Sequence, residues 1–166
     1  MPVKKKVAKK NVTKKTVANK PTQQKMVDFN TAITRFWTKY SEINGTAQRS
    51  EYWFAVLFVL LVNFVFSLFA MVPFVGFLYW VWSIAIFIPG LTLTARRLHD
   101  VGLSAKWLLA FWLGILLGFV FMLMGYFSVL FVFLAEVSWV VSGIVGIFLV
   151  IISLLPSKFK DNPYRE

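Results

Sequence analysis

Four stretches of this chain run for the length of a membrane span without a charge, and the polar positions between them set the architecture. A crossing helix needs about 20 mostly apolar residues. Residues 52–72 supply the first, with Asn63 and Ser67 as its only polar interruptions. Residues 74–94 supply the second, reached through a tight turn near Pro73 and Gly76. The polar break ARRLHDVGLSAK follows at 95–106, and then residues 107–155 contain a single charge, Glu136. At about 1.5 Å per residue, one helix of that length would overshoot a ~30 Å hydrocarbon slab more than twofold. It therefore holds two spans, placed at about 107–125 and 137–155, with an apolar hairpin region at 126–136.

Ahead of the spans the period changes. Phe29, Ile33, Phe36, Trp37 and Tyr40 recur at helical spacing, with Asp28 placed as an N-cap and Lys39 in the last turn. This predicts a short amphipathic helix, too short to cross. It lies in the headgroup region with its aromatic face down, or packs on the membrane domain from the cytosol. Residues 1–27 carry nine lysines and neither an acid nor an aromatic, which predicts a disordered, solvated cytoplasmic tail. Such a tail helps fix topology and is attracted to anionic lipid. Nucleic acid is the weaker partner for it, because no aromatic is interleaved to stack on bases.

Composition and charge sharpen this picture. Hydrophobic residues make up 58% and charged residues 15%, where soluble domains sit near half apolar and a quarter charged. A soluble fold is excluded. Of the eighteen Lys and Arg, twelve precede the first span, three fall in 95–106 and three follow residue 155. The 73–76 turn and the 126–136 hairpin have none, so every basic residue lies on one face, which the positive-inside rule makes cytoplasmic. Tyr52, Trp53 and Trp107 then mark the inner interface, and Tyr79, Trp80, Tyr126 and Trp139 the outer one. The expected fold is an all-α integral membrane protein. Residues 28–166 form a domain with four transmembrane helices, both termini inside, and a short interfacial helix precedes the first span.

Small residues indicate how helices meet. Gly114 and Gly118 form a G-x-x-x-G pair on the third span, and Ser138, Ser142 and Gly146 a matching stripe on the fourth. These stripes pack within the chain or pair two copies of it. Asn63 is suited to an interhelical hydrogen bond, and Pro89 with Gly90 to a kink in the second span.

Chemistry has few groups to draw on. No span holds an acid or base at mid-depth, where pumps place them. Polar residues crowd instead at one rim: Glu42, Arg49 and Glu51 before the first span, and Arg96, Arg97, His99 and Asp100 after the second. A tight turn makes those spans antiparallel neighbours, so Glu51 should pair with Arg96 or Arg97, and Arg49 with Asp100. An Arg fork matches a carboxylate bidentately. His99 serves as a hydrogen-bonded packing group or, less favoured, as a proton acceptor. No second His and no carboxylate pair offers a metal shell, no Ser–His–acid spacing suggests hydrolysis, and no cofactor is implied. Without cysteine there are neither disulfides nor a thiolate nucleophile.

These motifs carry a resemblance. Gly45-Thr-Ala-Gln-Arg49-Ser-Glu51-Tyr52-Trp53 stands at the mouth of a span, followed by Pro89, then Arg96-Arg97-Leu98-His99-Asp100, then Gly102-Leu-Ser104-Ala-Lys-Trp107, and finally Asn162-Pro163-Tyr164. Together, over about residues 26–166, they resemble the domain-of-unknown-function 805 family, small YhaH-like bacterial inner-membrane proteins. Thr46 stands where that family usually has its first Arg, and Ala105-Lys106 replaces a small-residue and aromatic step. The lysine tail is an addition, and Met26 sits about where family members begin. The resemblance implies a multi-pass bacterial inner-membrane location and a cytoplasmic polar motif, and no established activity.

The reading that follows is a non-enzymatic interaction protein. Its cytoplasmic cluster of Arg49, Glu51, Trp53, Arg96, Arg97, His99 and Asp100 would dock an anionic lipid headgroup or a membrane-protein partner. Arg96 and Arg97 would bind the anion, and Glu51 and Asp100 would orient them. The alternative is a small oligomeric channel or carrier gated by the same cluster, with Pro89 breaking its pore helix and His99 giving pH dependence. A lipid-directed enzyme is third, for want of a nucleophile–base pair.

Overall fold

A computed structural model describes residues 26–158 and 161–164. The lysine-rich stretch through residue 25, with the disorder expected of it, lies outside the described residues. Among those described, every regular element is helical: α1 (Phe29–Thr38), α2 (Arg49–Leu68), α3 (Pro73–Asp100), α4 (Lys106–Met124) and α5 (Val129–Leu154). The last four are long and apolar enough to cross a membrane. Their outward faces carry exposed side chains such as Leu61, Phe64, Leu113 and Ile147, the pattern of helices whose solvent is lipid.

The amphipathic segment forms α1. Asp28 caps it through both carboxylate oxygens: Oδ2 accepts from the Thr31 amide at 3.1 Å and Oδ1 from the Thr31 hydroxyl at 2.7 Å. Its inner face buries Ala32 and Phe36. Phe36 joins Ala47, Ala55 and Leu93 in a small core, and Trp37 meets Trp82 of α3 at 6.1 Å between ring centres. The helix thus packs against α2 and α3.

The four long helices form two antiparallel hairpins. In the first, Trp82 Nε1 donates to Asn63 Oδ1 at 2.9 Å, the interhelical bond expected of Asn63. In the second, the two small-residue stripes face each other within one chain. A Cβ added to Gly114 would stand 2.2 Å from Ser142 Oγ, and one added to Gly118 would stand 2.0 Å from Trp139 Nε1. Only glycine admits that approach.

Two boundaries depart from expectation by six residues or more. The second span's helix does not end near residue 94: α3 continues to Asp100, so Arg96–Asp100 form its last turn and not a loop. Ala95, Arg96, Arg97 and Leu98 are good helix formers, and the stop comes at Gly102. Gly102 has φ +83°; its amide reaches His99 O at 3.0 Å and the Leu103 amide reaches Leu98 O at 2.9 Å, the paired bonds of a Schellman cap. Next, α5 starts at Val129, eight residues before the span placed at 137–155, because the Ser128 hydroxyl caps it through the Leu130 amide. The hairpin connection shrinks to residues 125–128. Within α3 the helix runs on through Pro89, where Thr92 Oγ1 donates to Pro89 O and Thr94 Oγ1 to Gly90 O.

Candidate functional site

The last turn of α3 meets the first turn of α2 and the last turn of α5 at one end of the bundle, and the rim residues gather there. Glu51 lies in the first turn of α2, where the helix dipole favours a carboxylate, and is 2% exposed. Its two oxygens face two arginines: Arg96 Nη1 donates to Oε1 at 3.1 Å and Arg35 Nη1 to Oε2 at 2.9 Å. The Glu51–Arg96 pair is one of the two pairings expected from the antiparallel hairpin. Arg35, on α1, had no role in the sequence reading, since nothing local marks a partner sixteen residues away.

Arg97 is 1% exposed, and its donors all point inward. Nε and Nη2 both donate to Ser153 O, at 3.2 and 3.1 Å; Nη2 also reaches Leu155 O. Nη1 donates to Ala47 O at 3.3 Å and to Asp100 Oδ2. Five contacts meet the five N–H groups of a guanidinium. A cation at the end of α5 also complements the negative pole of that helix. Trp53 adds a further bond from Nε1 to Ser153 O at 3.2 Å.

Asp100, fully buried, accepts from Arg97 and from the Ser157 hydroxyl. Its carbonyl takes the Lys158 amide at 3.0 Å. The C-terminal segment then locks on through Asn162, whose Nδ2 donates to His99 O at 2.9 Å, to Asp100 O at 3.1 Å and to Lys158 O at 3.1 Å. Tyr164 stacks on the His99 ring, with centres 4.0 Å apart and planes 10° from parallel. Asn162 and Tyr164 thus cap the end of α3, a role the sequence reading did not give them.

The structure therefore brings together Glu51, Trp53, Arg96, Arg97, His99 and Asp100, and leaves Arg49 aside. Arg49 is exposed at the start of α2 and forms no ion pair among the described residues, so its expected bond to Asp100 is absent. Asp100 lies buried against Arg97, a neighbour one helical turn away.

The structure places Arg96 and Arg97, expected as headgroup ligands, with their side chains inside the protein. Both guanidinia are buried, and those of Arg97 are saturated by the protein. Removing one partner from such a buried pair strands the other charge, at a cost of about 3–5 kcal/mol. His99 is a packed, stacked ring with Nδ1 buried. Arg96 Nε and Nη2 are likewise buried, and because Arg35 and Arg96 share Glu51, that triad retains one positive charge. Outside the membrane spans, Thr31 holds the Asp28 carboxyl below the usual carboxylate range through its hydroxyl and then its amide. Among the described residues, no group of three His, Asp or Glu converges to hold a metal ion.

Residues 40–166 match the family described as "Protein of unknown function (DUF805)". Two relatives, each named inner membrane protein YhaI, come from Escherichia coli strain K12 and E. coli O157:H7. Each is 34% identical over 77 residues, covering 43% of this chain and 63% of the relative. The match thus spans less than two thirds of those proteins' length. No solved structure matches.

Proposed function

The chain belongs to the DUF805 family of proteins of unknown function, and from that premise we propose that it is a non-enzymatic inner-membrane protein that works by docking anionic groups at one rim. Among the described residues four helices are long and apolar enough to cross a bilayer, and the relatives are named inner membrane proteins. The observation that carries the reading is the contrast along the bundle axis. At one end stand Arg35, Lys39, Arg49, Lys106 and Lys158; the turns at the other end, residues 69–72 and 125–128, contain no charge. The positive-inside rule puts the basic end, with both termini, in the cytoplasm.

Within that end the labour is divided. Glu51 with Arg96 ties α2 to α3, and Arg97 with Asp100 ties that hairpin to the end of α5 and the segment after it, whereas Arg49 and the half-exposed Arg35 remain available to water and headgroups. Each cation near an anionic membrane surface contributes about 1 kcal/mol, so the lysine-rich N-terminal segment would add to the attraction without defining a site. The test is extraction into native nanodiscs and mass spectrometry of the lipids and proteins that travel with the chain, wild type beside Arg49→Glu. The expected result is enrichment of anionic lipid, or of one partner, that the variant loses while remaining folded. Identical companions in both samples would contradict the proposal.

A further inference from the structure

Beside the polar knot, at membrane depth, the two hairpins part around a half-open apolar cleft of about 470 Å³. That volume falls within the range of about 300–1,000 Å³ common to small-ligand sites. On α3 the cleft extends from Ser83 to Thr94. Eleven residues of helix rise about 16 Å, roughly half of a ~30 Å hydrocarbon core, which is the depth of one leaflet. Leu60, Phe87 and Trp112 belong to its lining and are also exposed, so the cleft opens toward the lipid phase.

We infer that this cleft seats one acyl chain of an anionic phospholipid, whose headgroup is met at the rim by Arg49. Water is a poor occupant, because a buried water needs two or more polar partners and the lining is almost wholly apolar. An empty cleft would forfeit dispersion contacts along its whole length. A lipid tail is the filler at hand.

Position on the helix supplies the headgroup. Tyr52, Val56 and Leu60 line the cleft from α2, and Arg49 stands one turn ahead of Tyr52 on that same face. The positive charge left on the Arg35–Glu51–Arg96 triad adds to the potential at that end. A tail gains little by exchanging lipid neighbours for Leu and Val. The cleft therefore fixes where the lipid sits, and the rim charge selects which lipid. The headgroup half rests on the rim-docking reading above; the cleft half rests on geometry alone.

Gly90 makes the two halves separable. It lines the cleft, and a Cβ added there meets nothing within 4 Å, so Gly90→Phe fills the space without a backbone clash. Replacing a helical glycine also does not weaken the helix. The experiment is native mass spectrometry of the full chain in mild detergent with added dioleoyl phosphatidylglycerol or dioleoyl phosphatidylcholine, with thermal melts confirming that each variant is folded. Wild type should hold one phosphatidylglycerol in preference to phosphatidylcholine by about fivefold, the contribution of one cation near an anionic headgroup. Gly90→Phe should lose both lipids. Arg49→Glu should keep one lipid and lose the preference.

A folded Gly90→Phe that retains phosphatidylglycerol as wild type does would overturn the cleft assignment; rim docking would survive if Arg49→Glu still lost the preference. A preference unchanged in Arg49→Glu would overturn the headgroup assignment. A dimer that Gly90→Phe abolishes, with no lipid bound to wild type, would assign the cleft to a second copy of the chain and overturn the proposal.

Discussion

At Arg97, acceptors from three segments converge on one guanidinium: Ala47 ahead of α2, Asp100 in its own helix, and Ser153 with Leu155 at the end of α5. Truncation to Ala would leave the Asp100 carboxylate buried and unbind the end of α5. Arg97→Ala should therefore lower the unfolding free energy by about 3–5 kcal/mol, and Arg97→Lys should recover only part of it, since an ammonium lacks the planar fork. Arg49→Ala, at an exposed position, should stay within about 0.5 kcal/mol of wild type. Denaturant titration in detergent distinguishes these outcomes. Asp28 gives a prediction of different kind. Its carboxyl is held below the ordinary value of 3.8 by Thr31, so its contribution to α1 is present above that unfolded value and is lost as pH falls through the lower folded one. Amide exchange at Thr31 should show the same protection factor from pH 8 to pH 5 and a loss below about pH 4, a loss that Asp28→Asn should remove. Glu51–Arg96 could be read from sequence because a short turn forces two charged helix ends together. The role of Arg97 could not, because most of its acceptors are backbone carbonyls and carry no residue signature.

At the scale of elements, hydropathy located all four long helices, since lipid demands a length of apolar sequence that no soluble helix needs. Their ends were harder. Arg96–Asp100 looked like a loop because it is polar, although it is helix-forming and the glycine able to take a positive φ comes only at Gly102. In α5 the apolar run is seamless, and the one cue to its start was Ser128. The glycine stripes were legible as close-packing surfaces, but only the structure shows that Gly118 receives Trp139 and Gly114 receives Ser142. Gly118→Leu should force the Trp139 ring aside and destabilise the α4–α5 hairpin by about 1–3 kcal/mol. Gly143→Ala, where an added Cβ meets nothing within 4 Å, should be near neutral or slightly stabilising. Thermal melts of the two variants in the same detergent check the contrast.

Across the whole molecule, the hydrogen bonds that join the α2–α3 hairpin to the α4–α5 hairpin and its C-terminal extension lie, among the described residues, at the basic end. Trp53, Arg97, Asp100 and Asn162 supply them. Farther along the axis the hairpins meet through side-chain packing such as Phe87 on Trp112, and the apolar cleft opens between them. The proposed docking at the rim and the proposed seating of a chain in the cleft would both require that the hairpins keep one relative orientation, which the knot of charges imposes from one end. The chain has no cysteine, so spin labels can be placed cleanly at Phe69→Cys and Phe127→Cys, exposed positions in the two distal turns. The deciding measurement is the distance distribution between those labels in lipid nanodiscs by double electron–electron resonance, with Arg97 intact and with Arg97→Gln. The account predicts one narrow distribution in the first case and a broadened one in the second. A distribution equally narrow and unshifted in Arg97→Gln would contradict it, for the hairpins would then be held by packing alone.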